Sequence, residues 1–300
     1  MINVLNSDRK REYMTGLMKK RSIIALCGGI LELICVFFAL LMGFNKMSLK
    51  YDTSVFWSYM YFTMITNTMA ALSVAFIIPF AVEGIRKNRF ILPKWVSILL
   101  FVSTNSISIV FLLVVTMIMH TSPEEAVGDG GIYAHFICPI LVLILFFQIE
   151  SGYRYNTRDR ILACLPFAFY MLLYYVMVVV IGVENGGWKD IYHAMGYAPF
   201  FIAFPVMLAV SYATSLFISK LSNYLTRRRT EKMFCYWGEN AEPVDALVEA
   251  YGLGIMTARN MDKENIEVPY DILEELAKRY NIAPSKMIRS FVKGLESGMK

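Results

Sequence analysis

Six apolar runs divide this chain: Ser22–Phe44, Trp57–Val82, Lys94–His120, Ile132–Glu150, Asp159–Gly182 and Tyr197–Leu221. Each is roughly 20 residues long, the length a helix needs to cross a bilayer core of about 30 Å. Composition agrees, with 57% hydrophobic and only 18% charged residues and a mean hydropathy of +0.49. A water-soluble domain carries nearer a quarter charged residues. The pattern predicts an all-α, polytopic protein of the cell membrane. Its six transmembrane helices occupy residues 22–225, after a basic cytoplasmic segment (1–21) and before a small cytoplasmic helical tail (226–300).

The net charge of +5 matters less than its placement. Lys19, Lys20 and Arg21 precede the first run, Arg86, Lys87 and Arg89 follow the second, Arg154, Arg158 and Arg160 follow the fourth, and Arg227, Arg228 and Arg229 follow the last. The alternate loops hold only Lys46, Lys50 and Lys189. Basic residues collect on the cytoplasmic side, so both termini are expected there. The first run is too long for a signal peptide and lacks a small-x-small cleavage site, so it reads as a retained helix. Cys27, Cys35, Cys138, Cys164 and Cys235 show neither a metal-type C-x-x-C spacing nor a disulfide framework, and no internal repeat is visible.

Beyond Thr226 the charges become mixed. Three short helices are expected there: one from Pro243 with Val244, Leu247, Val248 and Tyr251 on its apolar face, one through Ile272–Tyr280, and one through Met287–Leu295. The turn at Asn281–Pro284 gives the last two a helix-turn-helix outline, with Lys286, Arg289 and Lys293 on the second. Such a pair is common in helical bundles, so the reading is a docking domain for a cytoplasmic protein rather than a nucleic-acid reader.

Polar residues interrupt the apolar runs. A rise of about 1.5 Å per residue puts Glu32 roughly 15 Å in from the cytoplasmic boundary, and Asn67 roughly 15 Å and Thr63 roughly 9 Å in from the outer one. Asn105 reaches a similar level to Glu32. Buried polar groups at that depth face the bundle interior or a cavity. The structural explanation is interhelical hydrogen bonding, which fits Thr66, Thr68 and Asn105 well. Glu32 is harder to explain by packing. His135 stands roughly 5 Å below the outer boundary, within about a helical turn of Thr63 in depth. A hydroxyl and an imidazole at one level can form a nucleophile with its base. A zinc site from His120, His135, His193, Glu124 or Asp129 is the competing chemistry, but no His pair has i,i+3 or i,i+4 spacing, and neither metal nor cofactor is expected.

Phe56…Tyr61-Phe62-Thr63 followed by Thr66-Asn67 resembles the first signature of the androgen-induced-protein-like family of integral membrane proteins. His135-Phe136-Ile137-Cys138-Pro139 resembles its second, with a His-to-Pro interval one residue shorter than in animal members. The aromatic segment of the fifth run and Gly186-Gly187-Trp188 resemble the family less specifically. The resemblance covers Ser22–Leu221 and implies a six-span fold. It also implies hydrolysis of fatty acid esters of hydroxy fatty acids, with Thr63 as nucleophile and His135 as base. Thr66 and Asn67 then read as supporting groups, and membrane lipids and a lipid ester as partners. Two non-enzymatic classes stand beside it: a transporter using Glu32, Asn67 and Asn105, and a membrane sensor acting through its tail.

Overall fold

The computed structural model describes residues 2–45, 55–87, 90, 92–121, 123–128, 130–149, 155–190, 200–238, 250, 254, 257, 268, 270–279 and 281–299. Every regular element among them is helical. Helix α1 spans Ile2–Asn45 and α2 Phe62–Lys87, the latter entered through a 3-10 turn at Val55–Met60. Helix α3 runs Lys94–Thr121, α4 Pro123–Val127, α5 Tyr133–Ile149 and α6 Thr157–Ile181. Helix α7 spans Phe200–Gly238, and α8 (Tyr270–Arg279) and α9 (Pro284–Met299) close the chain.

Local chemistry explains where helices start and stop. Pro93 precedes α3 in an extended conformation, which its ring favours. Helix α6 begins in a capping box: Asp159 N–H donates to Asn156 Oδ1 at 3.1 Å and Asn156 N–H to Asp159 Oδ2 at 2.9 Å. Gly182, at φ 70°, ends α6 in a conformation that a side chain disfavours. Asn281, at φ 52°, ends α8 in a Schellman arrangement. There Ile282 N–H reaches Ala277 O at 2.9 Å and Asn281 N–H reaches Lys278 O at 3.3 Å.

The chain packs as two compact units, Lys19–Ile149 with Asn156–Ser219, and Met1–Met18 with Glu150–Tyr155 and Lys220–Lys300. In the first, α3 is the central helix, packed on α2, α5 and α6. Its polar run Ser103–Ser106 is buried, while Phe37, Phe169, Phe201 and Phe217 stand 62–76% exposed on the surface. Water would penalise that arrangement, and hydrocarbon would not. The hydroxyls are satisfied locally: Thr104 Oγ1 donates to Leu100 O at 2.7 Å and Ser108 Oγ to Thr104 O at 2.6 Å. Between helices, Ser103 Oγ donates to Ser73 Oγ at 2.9 Å. Helix α1 meets its neighbours at two small residues: a Cβ on Gly28 would press on the Leu145 side chain, and one on Gly29 would come 3.0 Å from Val74.

Five helices are long and apolar enough to cross a membrane: Lys19–Asn45, Phe62–Arg86, Lys94–Thr121, Thr157–Ile181 and Phe200–Leu225. This is consistent with a helical membrane protein. The fourth expected span, α5, is a shorter apolar helix of 17 residues, or about 25 Å at the helical rise. The helix ends also differ from the charge boundaries read in the sequence. Helix α1 starts at Ile2 rather than near Ser22, and α7 passes Thr226 to reach Gly238. A change from apolar to basic residues alters what surrounds a helix but does not break it, since Arg and Lys are good helix formers. In the second unit, α8 and α9 match two of the expected tail helices, packing Leu273 and Ala277 with Met287, Phe291 and Leu295 in its core. The helix expected from Pro243 lies outside the described residues except for Ala250.

Candidate functional site

Thr63 sits half-buried in the first turn of α2, directly after Phe62, which is buried. Its carbonyl is heavily used: Thr66 Oγ1 donates to it at 3.1 Å and Asn67 Nδ2 at 2.7 Å. Both supporting side chains are fully buried and hold the backbone of Thr63, not its hydroxyl. Asn67 does more. Its amide also donates to Ala134 O at 3.2 Å, across to the residue before His135. One side chain thus ties the start of α2 to the start of α5.

His135 lies in a π turn, Tyr133–Ile137, that opens α5. A π turn shifts the backbone ladder by one residue, and such turns are frequent at functional sites. The Ala134 carbonyl that receives Asn67 belongs to this turn. His135 is half-buried, and its Nδ1 lies 3.0 Å from Ala126 O of α4. A carbonyl can only accept, so it is Nδ1 that donates in this contact. Ala126 itself is fully buried. No hydrogen bond joins Thr63 to His135; the structure brings their helices together and Asn67 links them.

An aromatic cluster that sequence reasoning did not assemble backs this pair. The Phe62 ring lies 4.8 Å from Tyr170 and 5.3 Å from Phe167, and Tyr170 is 6.4 Å from Trp188. Tyr170 OH donates to Met60 O at 2.6 Å, holding the 3-10 turn that leads to Thr63. Tyr174 OH donates to Asp190 Oδ1 at 2.7 Å. The strap Gly186–Asp190 folds back because Trp188 N–H reaches Met177 O at 3.0 Å, inside another π turn, Val176–Ile181. Gly187 is required there, since a Cβ would strike that same carbonyl. The available signal was the pair Tyr170 and Tyr174, one helical turn apart, with the Gly-Gly-Trp loop following.

The remaining polar residues separate. Asn105 Nδ2 donates to Ala163 O at 2.9 Å and Ser211 Oγ at 3.4 Å, joining α3, α6 and α7. Glu32 is fully buried on α1 without a hydrogen-bond partner among the described residues. No hydrogen bond connects Glu32, Asn67 and Asn105 with one another. His120 and Glu124 are exposed, while His193 and Asp129 lie outside the described residues. Among the described residues no group of three or more His, Cys, Asp and Glu side chains is placed to hold a metal ion.

Compared with protein-family models, curated proteins and solved structures, the chain finds no match in any of the three.

Proposed function

We propose that this chain is an integral membrane hydrolase of lipid esters, with Thr63 as nucleophile and His135 as general base. The observation that carries the reading is the Asn67 tie: it holds the Thr63 turn beside a histidine whose Nδ1–H is already directed at Ala126 O. A base oriented by a third group is the arrangement that makes a weak hydroxyl nucleophilic. In this scheme Thr63 Oγ1 attacks the ester carbonyl as its proton passes to His135 Nε2. The alkoxy group then leaves with that proton, and water, activated by the same nitrogen, releases the acid from Thr63. The scheme draws on protein groups and water alone.

The resemblance to the androgen-induced-protein-like family supports the same residues and a fatty acid ester of a hydroxy fatty acid as substrate class. Loop charges support six spans in the cell membrane, α5 being the fourth, with both termini cytoplasmic. In that orientation Thr63 and His135 share an outer depth that a lipid ester reaches sideways from the bilayer. Purified protein in liposomes should hydrolyse a long-chain ester of this class, and folded Thr63→Ala and His135→Ala proteins should not. Unchanged turnover in either folded variant overturns the assignment.

A second reading, a membrane sensor whose tail captures a cytoplasmic protein, draws on α9. Lys286, Arg289 and Lys293 are exposed along it, opposite the buried Met287, Phe291 and Leu295. Partner capture by the tail without ester turnover would favour it.

A further inference from the structure

Glu32 is not explained by the site at Thr63 or by packing. Its side chain is fully buried, and neither carboxyl oxygen has a hydrogen-bond partner among the described residues. A carboxyl held for stability is normally paired or bonded, and an apolar residue of similar size otherwise serves the fold better. Ionisable groups within membrane helices mark ion or proton sites by default.

The neighbours narrow the ligand. Glu32 lies on α1 between Gly29, which packs on Val74 and Ile78 of α2, and Cys35 and Val36, which pack with Ala70 of α2, Ile107 of α3 and Cys138 and Val142 of α5. The titratable groups packed on this stretch are two thiols, Cys35 from its own helix and Cys138 from α5. Helix α2 contributes Ser73 on this stretch, but that hydroxyl already donates to Ala70 O at 2.8 Å and accepts from Ser103 at 2.9 Å. A divalent ion needs several ligands, and no group of three His, Cys, Asp or Glu is suitably placed among the described residues. A hard monovalent cation needs several oxygens, and one carboxyl beside thiols does not supply them. A proton needs only the carboxyl.

We propose that Glu32 is a proton-binding site inside the membrane domain, exchanging its proton with the aqueous phase while α1, α2 and α5 stay packed. Its ligand class is thus different from that of the Thr63 site, and it operates whether or not that site turns over an ester.

The test uses the full chain in phosphatidylcholine liposomes, treated with dicyclohexylcarbodiimide over a pH series. This probe adds as a whole to a protonated carboxyl in an apolar setting and rearranges to a stable N-acylurea. Peptide mapping by mass spectrometry should find the adduct on Glu32, with a yield that falls several-fold from mildly acid to alkaline buffer. Infrared spectra of the unmodified protein should show a protonated-carboxyl band that shifts on transfer to heavy water and is missing in Glu32→Gln. The wild-type arms stand without the variant. An absent adduct at every pH, or a yield independent of pH with no heavy-water shift, shows a sealed structural acid and overturns the proposal. Protection by sodium at constant pH shows a cation site and overturns it equally.

Discussion

Asn67 gives its two amide protons to two carbonyls, Thr63 O at 2.7 Å and Ala134 O at 3.2 Å, on different helices. Removing the amide leaves the buried Ala134 carbonyl without that donor, at a cost of about 1–3 kcal/mol. Asn67→Leu should lower detergent-unfolding stability by that order and cut ester turnover together. Thr66→Ala should be milder, because Thr66 only returns to a carbonyl of its own helix. For the proposed chemistry, Thr63→Ser should keep some turnover while Thr63→Ala and His135→Ala lose it. The double variant should be scarcely worse than either single one, because the pair acts as a unit. At this scale residue types were legible and partners were not. The sequence showed Asn67 one turn from Thr63, but its bond to Ala134 depends on two helices meeting far apart in the chain. The same holds for Glu32, Asn67 and Asn105. Their similar depth suggested one cluster, yet depth says nothing about which way each side chain points around its helix.

Among the elements, apolar runs announced the helices because hydrocarbon leaves the backbone no other partner over that length. Their internal irregularities were hidden. The π turns at Val114–Ile118, Tyr133–Ile137 and Val176–Ile181 sit in largely apolar helical sequence, where one inserted residue barely disturbs the pattern. The turn after α8 was more legible, because Asn281 is a residue type that tolerates the left-handed region. It sets a test: Asn281→Gly should leave the α8–α9 pair intact, whereas Asn281→Val should destabilise it by about 1–2 kcal/mol. Amide hydrogen exchange along α8 and α9 is the measurement, and equal protection in both variants would show that the turn conformation does not matter.

For the whole molecule, the sequence carried the class but not the helix ends. Six apolar runs became five long helices and the 17-residue α5, and two of the long helices continue into basic sequence. The loop charges predict that Arg86 and Arg158 face the cytoplasm and Glu124 and Trp188 face outward. Single-cysteine labelling in intact cells checks this, and a Glu124→Cys protein labelled only after permeabilisation would reverse the orientation. Because α5 is the shortest of the six expected spans, cysteines placed beyond its two ends test it: labelling from opposite sides is the outcome predicted, and labelling from one side would make it a re-entrant helix and leave five spans. The central claim, a threonine activated in the membrane by a histidine, is tested most directly by mass spectrometry of the purified protein after reaction with a long-chain fluorophosphonate. The account predicts one phosphonyl adduct, on Thr63, absent from folded Thr63→Ala and His135→Ala proteins. A folded wild-type protein without that adduct, or one whose adduct survives in Thr63→Ala, would contradict it.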